Sequence, residues 1–403
     1  MSLGLTARVR AVALTGVVAL ALAALAACGS NDSTPSGDDS ASANHDPYVW
    51  GMDVELSGVV SYYGQTMQQG LQAYIDQVNA QGGINGHPIK LTSLDNAGDA
   101  SKAAADATQL VSADKAIMMF GGVLSSSCSG AQPVVDRYKV PMACLSVAEA
   151  DPYLYSLGAD NTRPGTALVS AAKDVSKLSN PKVAFAYLNT LTDIELSKTI
   201  GDKASAAGVD IVTSQQIDIA ATDVSAQVAK IVAAKPDVAL VSETGPGLLM
   251  VLKALRSSGF NGPVVWLDGG GNMSLVASVK DQNLYAFNPY QLIDPNGTDE
   301  AVQNYISAVT GKIKDTKSVI GLNGGDVPYG YITATAVGDA LKACGYPCSG
   351  EQLKAQLDQT NLSLPGLIDS FQWTADDHYP YKNWYLYKTV GADSTFVQSY
   401  PSD

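Results

Sequence analysis

Residues 48–95 read YVWGMDVELSGVVSYYGQTMQQGLQAYIDQVNAQGGINGHPIKLTSLD, and this stretch decides the fold. Its first nine residues, 48–56, form a largely apolar run that predicts a strand. A helix follows, because apolar side chains recur every three or four positions on one face: Met67, Leu71, Tyr74, Ile75 and Val78. Gly82 and Gly83 end that helix, and residues 89–95 predict a second strand. A strand, a helix and a strand in this order predict a parallel βαβ unit.

The same alternation continues along the chain. Further strands are predicted at residues 116–120, 141–145, 182–188, 210–217, 237–241 and 263–266. Helices are predicted between them, at residues 101–113, 131–138, 193–207, 224–234 and 247–258. Strands that alternate with helices of this length predict parallel sheets covered on both faces. The predicted fold class is therefore α/β.

The C-terminal part departs from this alternation. Helices predicted at 299–314, 327–342 and 350–360 have little strand between them, and an aromatic strand follows at 384–390. Helices without strands of their own must cover sheets formed earlier, so we expect the chain to cross more than once between two lobes. Its size agrees, because the roughly 355 residues from Tyr48 onward exceed the size at which single cores stop growing.

The N-terminal segment has a different composition. Residues 1–27 place Arg8 and Arg10 ahead of a short apolar core, which is the layout of a secretory signal. The small residues that lead to Cys28 resemble the lipobox of bacterial lipoproteins, which implies lipidation of this cysteine and an extracytoplasmic, membrane-anchored protein. Residues 28–47 are polar and predict a flexible tether. The alternative is a plain signal peptide or an N-terminal anchor helix.

The charge of the chain excludes one class of partner. The formal net charge is −14, with 25 Lys and Arg residues against 39 Asp and Glu residues. Removal of residues 1–27 takes away two arginines and no acid, which makes the net charge −16. So much negative charge argues against nucleic acid or an anionic membrane surface as the partner.

The cysteines favour an exported protein. Apart from Cys28, four remain, an even number suited to an oxidising compartment: Cys128, Cys144, Cys344 and Cys348. The last two bracket a turn of Gly, Tyr and Pro, which predicts a local disulfide, and the first two flank one predicted helix and could pair across neighbouring loops. A metal site is the weaker alternative, because the histidines lie in tether or turn contexts without ligand spacing: His45, His87 and His378.

Two groups of motifs carry a family resemblance. The first group lies in the opening stretch and comprises Leu56-Ser57-Gly58, Gly64, Gly70, NAQGGING at 79–86 and Asp95. The second group comprises Gly121-Gly122, Ser125-Ser126-Ser127, Pro141 and LRSSG at 255–259. From Tyr48 to the C-terminus, the chain resembles the branched-chain amino-acid type of ABC-transporter substrate-binding protein. The resemblance implies a type I periplasmic-binding fold, a ligand cleft between two lobes and an ABC permease as partner of a monomer.

The resemblance also implies three crossings between the lobes. We expect these hinge segments near Asp160, Asn288 and Pro365. The N-terminal lobe then comprises residues 48–160 and 289–365, and the C-terminal lobe comprises residues 161–288 and 366–403.

Polar residues at expected strand ends predict the ligand site. Ser125, Ser126 and Ser127 follow the strand at 116–120, where backbone N–H groups and serine hydroxyls can hold a carboxylate. An N-capping loop is the alternative for these serines, and the resemblance favours Ser127 as a ligand contact. The resemblance also makes Tyr63 an aromatic wall over the ligand and Asp268 the partner of a ligand ammonium. The alternative for Asp268 is a cap of the following helix.

Other positions depart from the family pattern. Ala150 stands where branched-chain binders place a carboxylate-binding threonine, and Thr192 and Thr244 stand where the family often has tyrosine. Backbone groups of Ala148 and Ala150 could still bind a ligand. Three residues near a late helix could line the opposite wall, although aromatics there are more often core residues: Asp326, Tyr329 and Tyr331.

The sequence favours binding over catalysis. It contains no G-x-S-x-G elbow, Walker loop or H-E-x-x-H motif, and Asp376-Asp377-His378 lies in a polar turn. We therefore expect a solute-binding lipoprotein without catalytic residues, cofactor or metal, which captures an apolar amino acid or an analogue for an ABC importer. The alternatives are a binder of aromatic or aliphatic carboxylates or amides, a surface ligand sensor, or an exported enzyme.

Overall fold

The first half of the chain forms a five-stranded parallel sheet. The computed structural model describes residues 45–147, 151–157, 163–267, 280–294, 296–313, 327–391 and 393–402. The strands lie in the order β2-β1-β3-β4-β5, with bounds β1 (Tyr48–Val54), β2 (Ile89–Asp95), β3 (Met118–Gly121), β4 (Met142–Cys144) and β5 (Leu154–Ser156). The helices between them are α1 (Ser61–Ala80), α2 (Ala100–Thr108), which a π-helical turn extends over Gln109–Ala113, and α3 (Ser125–Tyr138).

The second sheet forms from the middle of the chain and its C-terminus. Five neighbouring strands are parallel: β6 (Lys182–Leu188), β7 (Asp210–Ile217), β8 (Val238–Ser242), β9 (Val264–Leu267) and β10 (Leu284–Asn288). Two antiparallel strands complete it, β13 (Asn383–Val390) and β14 (Asp393–Pro401), in the order β14-β13-β10-β9-β8-β6-β7. The helices of this sheet are α4 (Gly165–Ser176), α5 (Leu191–Ala207), α6 (Ser225–Ala233) and α7 (Gly245–Ser257). The predicted α/β class with parallel sheets is confirmed.

The segment between β10 and β13 returns to the first sheet. It contains α8 (Glu300–Val309), α9 (Val327–Cys344), α10 (Gly350–Leu357) and an antiparallel hairpin of β11 (Asn361–Leu364) and β12 (Ile368–Gln372). Both α8 and α9 pack on α1. The indole of Trp373 donates to the carbonyl of Ser156, and the hydroxyl of Tyr381 donates to the carbonyl of Leu157, each at 3.1 Å. The chain therefore still contacts the β5 edge of the first sheet beyond Pro365, as far as Tyr381.

The structure corrects several predicted elements. The helix α3 begins at Ser125 rather than at residue 131, so the three serines form its first turn. The helix α4 and the strands β5, β10, β11, β12 and β14 were absent from the prediction, and the C-terminal part is richer in strands than expected. The short strands escape a periodicity argument because three to five residues do not complete a pattern.

Two glycines allow a close backbone contact between two helices of the first lobe. Gly70 of α1 faces Val327 of α9, and a Cβ at position 70 would lie 2.1 Å from the Val327 carbonyl oxygen. Gly330 of α9 faces Met67, whose carbonyl oxygen would lie 2.3 Å from a Cβ at position 330. The backbones of α1 and α9 therefore touch, which explains the glycine at position 70 of the opening motif.

Among the helices in the described part of the chain, none has the length and apolar character needed to cross a bilayer.

Candidate functional site

The carboxyl ends of the two sheets lie close together. β1 and β3 end at Val54 and Gly121, and β6 and β8 end at Leu188 and Ser242. Parallel strands of one sheet end at the same edge, where helix N-termini and loops collect polar groups. The helices α3 and α5, which begin just after β3 and β6, contact each other. Residues beyond these strand ends therefore form the candidate site.

Tyr63 joins the two lobes. It lies in the first turn of α1, is largely buried, and its hydroxyl oxygen accepts a hydrogen bond of 3.1 Å from the backbone N–H of Gly245. Gly245 is the first residue of α7, directly beyond the carboxyl end of β8. Tyr63 thus lies at the junction where a ligand wall was expected.

The predicted serine cradle already holds a carboxylate of the protein itself. The hydroxyl of Ser127 donates to Oε1 of Glu55 at 2.7 Å. The backbone N–H groups of Val123 and Leu124 donate to Oε2 and Oε1 of Glu55, at 2.9 and 3.2 Å. Glu55 is 0% exposed, and Ser125 and Ser127 are buried beside it, whereas Ser126 is exposed. The Ser127 hydroxyl therefore already donates its proton in a hydrogen bond to Glu55.

Asp95 fixes the loop that carries Glu55. One oxygen of its carboxylate accepts hydrogen bonds from the backbone N–H groups of Leu56, Ser57 and Ala97, at 2.9, 3.2 and 3.0 Å. This network explains why Leu56-Ser57-Gly58 and Asp95 belong to one motif despite their distance in sequence. It also holds Glu55 in place.

In the second lobe, Asp193 lies beyond the carboxyl end of β6. Asp193 and Thr192 are buried in the first turn of α5, where the hydroxyls of Thr190 and Ser242 both donate to the Asp193 carboxylate. The Thr192 hydroxyl lies 3.2 Å from that of Thr190. Burial raises the pKa of Asp193 to about 6, although the two hydroxyl hydrogen bonds lower it.

Glu243 and Thr244 lie at the start of α7. The Thr244 hydroxyl accepts from the N–H of Gly247 at 3.3 Å, so this predicted ligand residue caps the helix. Glu243 is buried, and a Cβ at position 247 would lie 2.1 Å from its Oε2. Gly247 thus leaves room for the Glu243 carboxylate, and the indole of Trp266 donates to the Glu243 carbonyl at 2.8 Å.

The buried acids are not matched by buried basic side chains in the described part of the chain. Among the described residues, the buried side chains that can carry charge are carboxylic acids, with no lysine or arginine: Asp53, Glu55, Asp193 and Glu243. A carboxylate removed from water loses several kcal/mol of solvation unless hydrogen bonds or a cation replace the water. Three of these acids lie just beyond the carboxyl ends of strands, so the candidate site is acidic.

Tyr329 lies in an aromatic cluster within α9. Its ring centroid is 5.1 Å from that of Tyr290 and 5.5 Å from that of Tyr381, and the residue is fully buried. Tyr331 lies on α9 as well, and its hydroxyl donates to Gln77 of α1 at 2.9 Å. Both tyrosines therefore pack within the core.

Several predicted residues lie outside the described part of the chain. They are the lipidation candidate Cys28, the ligand candidates Ala148, Ala150, Asp268 and Asp326, and the first crossing at Asp160. Asp268 directly follows the last residue of β9, Leu267.

Both predicted cysteine pairs are at disulfide distance. The sulfur atoms of Cys128 and Cys144 are 2.01 Å apart, and those of Cys344 and Cys348 are 1.96 Å apart. The first pair connects the first turn of α3 to the end of β4, next to Ser127, which holds Glu55.

Sequence reasoning missed Glu55, Asp193 and Glu243. Each acid follows an apolar strand by one to five residues, which is the signal that could have identified them. An acid at a strand end is also an ordinary loop residue, so the signal needed the structure to become specific.

The chain matches one protein family over most of its length. The family is described as periplasmic binding protein, and the match covers residues 50–394. The chain belongs to the periplasmic binding protein family.

Individual proteins of this kind are similar to the chain. A Leu/Ile/Val-binding protein of Citrobacter freundii is 26% identical over 230 residues, which cover 55% of this chain and 61% of that protein. The branched-chain amino acid transporter substrate binding protein LivJ of Streptococcus pneumoniae, solved with isoleucine, has a TM-score of 0.73 at 19% identity, covering 88% of this chain and all of that one. A solute binding protein of an R. palustris ABC transporter, solved with benzoate, has a TM-score of 0.75 at 18% identity, covering 89% and 97%. These structures share the fold.

Proposed function

We propose that the chain is an extracytoplasmic solute-binding protein of an ABC importer, which captures a small ligand between its two lobes. The observation that carries the proposal is the junction of the two sheets, where Tyr63 of one lobe bonds to Gly245 of the other beside buried polar side chains. Ligands of open α/β sheets bind beyond the carboxyl ends of the strands, which is where these residues lie. The chain acts as a binder, not an enzyme.

The proposed ligand is an apolar amino acid or an analogue that carries an amino group. Buried carboxylates without buried lysine or arginine in the described part of the chain favour a cationic ligand group. The similar Leu/Ile/Val-binding protein and the isoleucine-bound LivJ support an aliphatic side chain. The benzoate-bound relative supports the second candidate, a ligand with a carboxylate and no amino group.

The proposal also assigns residues 1–47 to export and membrane anchoring. A signal over residues 1–27, lipidation of Cys28 and a tether over 28–47 would anchor the protein outside the cytoplasm, where two cysteine pairs can oxidise. A monomer would deliver ligand to a permease. The contacts of Trp373 and Tyr381 with the first sheet support a third crossing near residue 382 instead of the position near Pro365 expected from the sequence.

The test is a calorimetric titration of leucine and benzoate into the wild type and Asp268→Asn. Loss of one partner of a desolvated charge pair costs about 2–5 kcal/mol, so we expect leucine to bind the variant at least about thirtyfold more weakly. Asp223→Asn removes an exposed acid of the same lobe and is the matched control. Equal leucine affinity in the two variants would contradict the ammonium contact. Binding of benzoate without leucine would favour the second candidate.

A further inference from the structure

The Val123–Ser127 turn is a built anion site, and its occupant is the side chain of Glu55. Two backbone N–H groups and one hydroxyl converge on the Glu55 carboxylate, and the three donors are neutral groups. They lie at the N-terminus of α3, a helix of 14 residues whose dipole favours negative charge. A carboxylate accepts up to about four hydrogen bonds, so the three that described residues donate to Glu55 leave about one acceptor position.

The occupant is held from both sides. Asp95 binds the loop just after Glu55, and α3 binds the side chain itself. Glu55 and Ser127 are both essentially inaccessible to solvent. A side chain fixed in this way does not leave the cradle without breaking its three hydrogen bonds, and those donors would then need another partner.

We propose that Glu55 is a specificity-determining residue that excludes carboxylates from the Val123–Ser127 turn and selects a ligand with a hydrogen-bond donor, such as an ammonium group, at that position. The inference rests on the proposed function and narrows its ligand class. A ligand carboxylate in this turn would compete with Glu55 for the same donors and would meet its negative charge. A ligand N–H that reaches Glu55 while the two lobes are apart would use the remaining acceptor position instead. The buried Asp193 and Glu243 of the second lobe add negative charge and act in the same direction.

The first experiment asks whether the turn binds a carboxylate once Glu55 is removed. Glu55→Ala deletes a fragment that corresponds to acetate, so acetate should refill the cradle. We expect the variant to melt below the wild type and sodium acetate at about 100 mM to restore at least half of the lost melting temperature, relative to sodium chloride at equal ionic strength.

Two controls define this experiment. Glu351→Ala removes an exposed glutamate of α10 and should show no acetate effect. Glu55→Gln keeps the side-chain volume, so the filled cradle should not admit acetate. If acetate raises the melting temperature of Glu55→Ala by no more than it raises that of Glu351→Ala, the proposal is overturned.

The second experiment measures whether the protein prefers an amine to a carboxylate of the same shape. The probes are 3-methylbutylamine and 4-methylpentanoate, which carry the same branched alkyl end and either an amine or a carboxylate. We expect the wild type to bind the amine at least about tenfold more tightly than the acid. The preference should shrink by at least about tenfold in Glu55→Gln, which keeps the measurement informative even where Glu55→Ala folds poorly.

The outcomes separate the two proposals. Equal binding of acid and amine by the wild type, or an unchanged preference in Glu55→Gln, would overturn the role of Glu55 while ligand binding stands. Absence of binding by any probe to any variant would count against the proposed function. The acetate experiment would still decide whether Glu55 occupies an anion site.

Discussion

Gly330→Ala is expected to lower the free energy of unfolding by about 2–3 kcal/mol. A Cβ at this position would lie 2.3 Å from the carbonyl oxygen of Met67 and 3.0 Å from the backbone nitrogen of Leu71. Both are backbone atoms of α1, so no flexible side chain can move aside and the two helices must separate. The separation also affects Gly70, which faces α9 in the same crossing.

The matched control is Gly201→Ala in the middle of α5. A Cβ there meets nothing within 4 Å, so alanine should stabilise the protein by about 0.5–1 kcal/mol through its better helix propensity. Urea unfolding monitored by circular dichroism measures both variants. Equal stabilisation by the two substitutions would show that α1 and α9 are not in backbone contact.

Asp53→Asn is expected to remove a strong pH dependence of stability. Asp53 is buried on β1, where the side chain of Asn96 is the hydrogen-bonding neighbour of its carboxylate. Burial first, and then the nearby Asp106 and Glu55 carboxylates, raise its pKa to about 8, although Asn96 lowers it. The neutral acid is therefore the form that the fold accommodates.

The sign of the effect follows from the two pKa values. The unfolded chain releases this proton near pH 4, whereas the folded protein keeps it to about pH 8. The stability that Asp53 contributes is complete below pH 4 and is lost as the pH rises to about 8. Between pH 5 and 8 the wild type should lose stability relative to Asp53→Asn by about 1.4 kcal/mol per pH unit.

The measurement is urea unfolding at several pH values between 5 and 9. Asp210→Asn, which removes an exposed carboxylate of the second sheet, reports the effect of the charge change alone. Parallel pH profiles for Asp53→Asn and the wild type would refute the account of Asp53 as a buried neutral acid.

Much of the fold could be predicted from the sequence because its central strands, such as β6 and β8, are largely apolar runs separated by helical patterns. The predictions at 182–188 and 210–217 coincide with β6 and β7. The helix α4 was missed although it buries Leu168 and Val169, and its pattern of small and apolar residues was not recognised as a helical face. The short strand β5 forms by pairing with β4, and the sequence of β5 alone does not predict that pairing.

The candidate site was readable only in part. Loop position and the family resemblance predicted Ser127 and Tyr63 as ligand contacts, and both lie beyond the carboxyl ends of the strands. The partner of Ser127 was missed, because Glu55 stands 72 positions earlier and only the sheet topology brings the two together. A hydrogen bond between residues so far apart in sequence leaves no pattern in the local sequence. The sequence therefore predicted an empty carboxylate site at Ser127, whereas the Glu55 side chain of the same chain occupies it.

Small-angle X-ray scattering with and without ligand tests the central claim most directly. The ligand is the compound that binds most tightly in the titration, at a concentration of at least about 100 times its dissociation constant. A ligand that contacts both lobes binds their closed arrangement more tightly than the open one and shifts the equilibrium toward it. We expect a smaller radius of gyration on saturation. Identical scattering profiles with and without saturating ligand would contradict capture between two moving lobes.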